Sequence, residues 1–87
     1  IKLAEMRTVS DVEVSDDGGL LVLTAERLTK PGFSAYTLTN GASPVLRYSV
    51  VVPDGLHTGT LARIGGALYL FAAKNPPNPA LQVYLLP

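Results

Sequence analysis

The stretch GGLLVLTAER, Gly18 to Arg27, returns later in the chain as GGALYLFAAK, Gly65 to Lys74. Both open on a glycine pair, run through consecutive apolar residues, reach alanine and end on a base. At a spacing of 47 residues Leu21 falls on Leu68, Leu23 on Leu70, Ala25 on Ala72 and Arg27 on Lys74. The same spacing places Ser10 on His57 and Val14 on Leu61, and one residue more places Tyr36 on Tyr84 and Leu38 on Leu86. Three successive segments thus share one register with a single insertion. A likeness of this period is the mark of a repeat architecture.

Each segment has the pattern of a strand. In VEV, Val12 to Val14, apolar residues alternate with Glu13, the period of a strand with one face covered; its counterpart is TLARI, Thr60 to Ile64. A turn follows in each copy, SDDGG at Ser15 to Gly19 and GG at Gly65 and Gly66, where glycine takes the positive φ of tight hairpins without a Cβ clash. The next strand is therefore antiparallel to the first. LLVLTAE and ALYLFAA are apolar at consecutive positions, which predicts strands sandwiched between two layers. The third strand is FSAYTLT, Phe33 to Thr39, or LQVYLL, Leu81 to Leu86, reached through RLTKPG or KNPPNPA, whose Pro and Gly residues mark a loop.

A fourth strand, VLRYSVVV from Val45 to Val52, follows the turn NGASP and has no copy after Pro87. At the other end IKLAEM, Ile1 to Met6, stands just before the first strand, where a fourth strand of a preceding unit would lie. The expected fold is all-β: two four-stranded antiparallel β-propeller blades with a repeat of about 47 residues. Residues 10–52 make the first blade, 57–87 the second without its outer strand, and 1–6 an outer strand that completes a blade. Two blades cannot enclose a channel, since rings have roughly four to eight. The ring is therefore completed by further copies of the chain or by blades of a longer one. The start at Ile1, with no initiator Met or signal segment, agrees with a processed product, an excised fragment or part of something longer.

Composition points the same way. Of the 87 residues 47% are apolar and only 16% charged, against about 25% charged in ordinary domains. A domain this small buries only about 60% of its unfolded surface, so covering of its apolar faces by a partner or by further chain is expected. Seven bases balance seven acids, with no basic cluster to follow a phosphate backbone, which argues against nucleic acid. The apolar runs Leu20 to Leu23 and Ala67 to Ala73 fall far short of the roughly 20 residues of a membrane span. With no Cys there is no disulfide or thiolate-metal framework, and the compartment stays open on that ground.

At SDVEVSDDGGLLVLTAE, Ser10 to Glu26, the chain resembles the LVIVD-repeat propellers of bacterial and archaeal surface or secreted proteins. Their blades run as a Ser-Asp-Val start, a Ser-Asp-Asp-Gly turn and a Leu-Tyr-Val-type strand. The second copy departs, because HTGTLARIGGALYLF, His57 to Phe71, has His-Thr-Gly at the start and no acidic turn. The resemblance implies a cell-surface or extracellular scaffold for binding or assembly, and brings no catalytic residues.

Candidate chemistry rests on few side chains. His57 is the only His, and it precedes an innermost strand; three copies around a ring axis would present three imidazoles to a divalent metal. The simpler role is a hydrogen-bonded turn His. Asp16 and Asp17 with Gly18 suggest part of a calcium loop but lack its further acids, so turn roles are expected. Ser10, Asp11 and Glu13 beside His57 invite comparison with a hydrolase, yet no G-x-S-x-G elbow or phosphate-binding glycine loop is present. Tyr36 and Tyr84 are explained by packing between blades. KNPPNP reads as a rigid loop rather than a polyproline ligand. The function expected is a non-catalytic scaffold without a cofactor. The alternatives are a propeller enzyme, lactonase-like or quinoprotein-like, with a channel metal or cofactor, and an engineered blade pair made to test ring assembly.

Overall fold

In the computed structural model, which describes residues 9–26, 31–38, 43–74 and 79–87, seven strands form two antiparallel sheets. The first sheet runs β1 (Val9–Val14), β2 (Leu20–Ala25), β3 (Gly32–Thr37) and β4 (Val45–Val51), each strand beside the next in sequence. The second runs β5 (Thr58–Ile64), β6 (Ala67–Lys74) and β7 (Ala80–Leu86) in the same order. Among the described residues there is no helix. The segment Ile1 to Met6, expected as an outer strand, lies outside them.

Turn chemistry explains why the hairpins fold back where they do. Gly65 and Gly66 both have positive φ, 58° and 83°, the requirement of a two-residue turn whose twist matches its strands. The longer turn between β1 and β2 is held by its own side chains. The Ser15 hydroxyl donates to Asp17 Oδ1 at 2.7 Å and accepts the Leu20 N–H at 3.0 Å, and Asp17 Oδ1 also accepts the Gly19 N–H. Gly18, φ 74°, takes the left-handed corner.

The two sheets stack on a shared core. Leu20 and Val22 of β2, Phe33 and Ala35 of β3, and Tyr48 and Val50 of β4 face Leu61 of β5, Leu68, Leu70 and Ala72 of β6, and Tyr84 and Leu86 of β7. The Phe33 and Tyr84 rings meet across the interface with centroids 4.9 Å apart. The molecule is correspondingly flat, 40 × 33 × 16 Å. Between β4 and β5 the chain crosses the end of the first sheet, with Leu56 wholly buried and its N–H on the Ala25 carbonyl at 2.9 Å. Gly55 (φ 76°) makes this crossing possible: a Cβ there would lie 2.0 Å from the Glu26 carbonyl oxygen.

Because side chains alternate along a strand, Leu21, Leu23 and Ala25 point away from the second sheet. Leu23, Ala25 and, on β3, Tyr36 are nonetheless buried. The consecutive apolar run of β2 is thus buried on both faces, as its pattern predicts. In β6 the expectation is met on one face only. Leu70 and Ala72 are fully buried, whereas Tyr69 and Phe71 on the opposite face are half-buried, and Ile64, Leu81, Val83 and Leu85 beside them are exposed.

Candidate functional site

The polar residues singled out in the sequence gather along the seam where β1 lies against β5. An irregularity in the β1–β2 register between Val9 and Asp11 sets Ser10 outside the regular pairing. Its hydroxyl donates to the Leu56 carbonyl at 2.6 Å and lies 2.9 Å from the hydroxyl of Thr24. Asp11 and Glu13, directed across the seam, accept backbone N–H groups of β5: Gly59 to Asp11 Oδ2 at 3.0 Å and Leu61 to Glu13 Oε1 at 3.3 Å. Gly59 has no side chain to obstruct this approach. A Cβ there would lie 3.0 Å from Leu70 Cδ1 and 3.2 Å from Thr24 Cγ2.

Side-chain pairs stand at both ends of the seam. At the hairpin end Arg63 donates through Nε and Nη2 to Asp16, at 2.9–3.1 Å, and its Nη2 lies 3.4 Å from Asp17 Oδ2. The Arg63 guanidinium holds the Asp16 carboxyl below the usual carboxylate range. The Asp17 carboxyl is lowered mainly by the Gly19 N–H, then by the Ser15 hydroxyl. Beside this clasp a cleft of about 330 Å³ opens between the two hairpins, floored by Leu20, Leu68 and Leu86. At the opposite end exposed His57 pairs through Nδ1 with Glu26, and the His57 backbone N–H donates to the Ala73 carbonyl at 2.8 Å.

This arrangement brings Ser10, Asp11 and Glu13 into one row but not into a triad with His57. Ser10 meets a carbonyl and Thr24, and the imidazole meets Glu26. Within one chain His57 and Glu26 are the pair that could contribute to a metal site, and among the described residues no group of three or more His, Asp or Glu side chains is placed to hold an ion. Asp16 and Asp17 are turn residues engaged by Arg63. Sequence inspection missed the partners Glu26, Thr24 and Arg63. For Arg63 a signal was present, since it stands 47 residues after Asp16 in the spacing that relates the two halves.

The chain matches no protein-family model, no curated protein and no solved structure. Among the described residues no helix is long and apolar enough to cross a membrane.

Proposed function

We propose that this chain is a non-catalytic β-propeller scaffold of two blades, completed into a ring by further copies of itself or by blades of a longer chain. Its work is self-assembly or binding, at a cell surface or outside the cell, the location that the LVIVD-repeat resemblance implies.

One observation carries this reading: the sense in which the sheets stack. In a sandwich built on a two-fold axis, matching residues of the two sheets would both face the common core. Here the matching residues face the same way. Leu21, Leu23 and Ala25 point away from the second sheet, while their counterparts Leu68, Leu70 and Ala72 point toward the first. Tyr36 and Tyr84 differ in the same manner, as do Val14 and Leu61. The sheets are related front to back, as blades around an axis are, and such a relation continues to a further unit instead of ending in a closed pair.

The polar residues support a scaffold over an enzyme. Ser10, Asp11 and Glu13 spend their hydrogen-bonding capacity on backbone groups and on Thr24 at the seam. Electron microscopy of the assembled chain tests the proposal. Closed rings with an even number of radial blades are expected, because each chain supplies two; open filaments or unassociated particles would overturn the ring completed by copies.

A further inference from the structure

We propose that the outer edge of β7 is a docking site for an extended segment of a separate protein chain. The segment adds as an eighth strand, antiparallel to β7, and lies over the inner face of β4. This concerns one strand edge, goes beyond the propeller reading and stands apart from it.

The sheets differ in width, and the difference leaves a shelf one strand wide. β5 lies against β1, where Asp11 meets Gly59, and β7 lies against β3, where the Tyr84 ring meets that of Phe33. Among the described residues β4 thus has no strand opposite it. Burial follows this offset. On the face toward the second sheet Val22, Phe33 and Ala35 of β2 and β3 are buried, whereas Tyr48 and Val50 of β4 are only half-buried. A strand added to β7 would continue the second sheet across these two side chains and extend the interface that already joins the sheets. β3, the counterpart of β7 by the spacing of Tyr36 and Tyr84, carries β4 antiparallel on the corresponding edge.

The four sheet edges are guarded differently. β1 is interrupted at Ser10 and carries Asp11 and Glu13, and these two carboxylates already hold the Gly59 and Leu61 N–H groups of β5. β4 is interrupted at Arg47, an extra residue where its pairing with Ala35 and Tyr36 shifts. Charges and bulges of this kind keep a sheet edge from pairing further. β7 has neither: its seven residues, ALQVYLL, pair with β6 without a shift and include no charge or proline. Its outer backbone groups are therefore open to a further strand.

The same geometry decides the occupant. Among the described residues a second copy offers only its own β7 as an unguarded edge, and antiparallel pairing of β7 with β7 follows a two-fold axis normal to the sheet. That operation would drive β4 of each copy into the layer that β3 of the other fills over β7. A single extended segment meets no such collision. Its neighbours set its chemistry: uncharged, apolar toward Tyr48 and Val50, and apolar or β-branched on the other face beside Leu81, Val83 and Leu85, which are between 52% and 69% exposed.

The probe is a synthetic peptide that alternates valine and threonine over the seven residues of β7, with a lysine tail for solubility. Saturable binding is expected, with new hydrogen-exchange protection at alternate amides of β7. Val83→Lys and Leu85→Lys, both at exposed positions, should each weaken binding about tenfold through the loss of one apolar contact. Val12→Lys, exposed on β1, should leave it unchanged, and circular dichroism verifies that each variant folds. Equal binding of a peptide with proline at its centre would mean adhesion to the sheet face and overturn edge pairing. Protection on another strand, or no binding at millimolar peptide, would overturn the site. Protection of β7 that rises with chain concentration in the absence of peptide would assign the edge to a second copy and overturn the separate partner.

Discussion

Asp11 Oδ2 accepts the backbone N–H of Gly59 at 3.0 Å, and Asp11 Oδ1 accepts that of Val12 at 2.9 Å. One carboxylate therefore serves the backbones of both β1 and β5. These are the edge strands of their sheets, where backbone groups lack a neighbouring strand. Asp11, one of the residues that invited comparison with a hydrolase, is thus an edge cap.

Removing that cap leaves the Gly59 N–H without its protein acceptor. Asp11→Ala is expected to destabilise the chain by about 1–3 kcal/mol, the usual cost of stranding a polar group. Asp11→Asn, which keeps one acceptor oxygen, should cost less. Urea unfolding of the two variants beside the parent checks the order.

Gly59 is required by close approach. Its position leaves only 3.0 Å from a built Cβ to Leu70 Cδ1 and 3.2 Å to Thr24 Cγ2, in a core where Leu70 is fully buried. Gly59→Val should wedge the sheets apart and cost about 1–3 kcal/mol, as overpacking does. Thermal unfolding would show a lower Tm, and an unchanged Tm would contradict the stacking described.

Tyr48 offers the opposite sign. Its ring meets Phe33 edge-on at 6.5 Å, but its hydroxyl is buried with no hydrogen-bond partner among the described residues. Burial also pushes its phenol pKa up. Tyr48→Phe keeps the ring contact and removes the orphan group, so stability should hold or rise by about 1 kcal/mol. For a chain of this size that corresponds to a Tm increase of roughly 4–8 °C.

The strands were legible because their signals are local. Gly65-Gly66 fixes a hairpin by itself, and the alternation at Val12 to Val14 and the apolar run at Leu20 to Leu23 each announce a strand. The expected segment at Val45 to Val52 corresponds to β4 at Val45–Val51. The seam was legible only in part, because it joins residues nearly fifty positions apart. Nothing near Glu13 indicates that its carboxylate will meet the Leu61 N–H, and nothing near His57 points to Glu26. The one-sided cover of β6 was also beyond local pattern, since ALYLFAA reads as buried on both faces whether or not a further layer is present.

The hairpin clasp predicts a pH dependence. Asp16 and Asp17 both have folded-state pKa values below the ordinary 3.8, from Arg63 and from the Gly19 N–H respectively. A lowered carboxyl pKa stabilises the fold above the unfolded value, and that contribution is lost as pH falls through the folded value. Tm should therefore drop on acidification below about pH 4. Asp16→Asn and Asp17→Asn should each remove part of this drop. Both carboxylates are exposed, so added salt should shrink the Asp16 contribution.

The central proposal is that the two front-to-back sheets are completed into a ring by further copies or by blades of a longer chain, and the comparison of native with denatured mass tests it most directly. If copies complete the ring, the native mass is two, three or four times the 9.2 kDa of these 87 residues, for rings of about four to eight blades; if a longer chain does, the denatured mass itself is larger. A native mass of 9.2 kDa at all concentrations would contradict both.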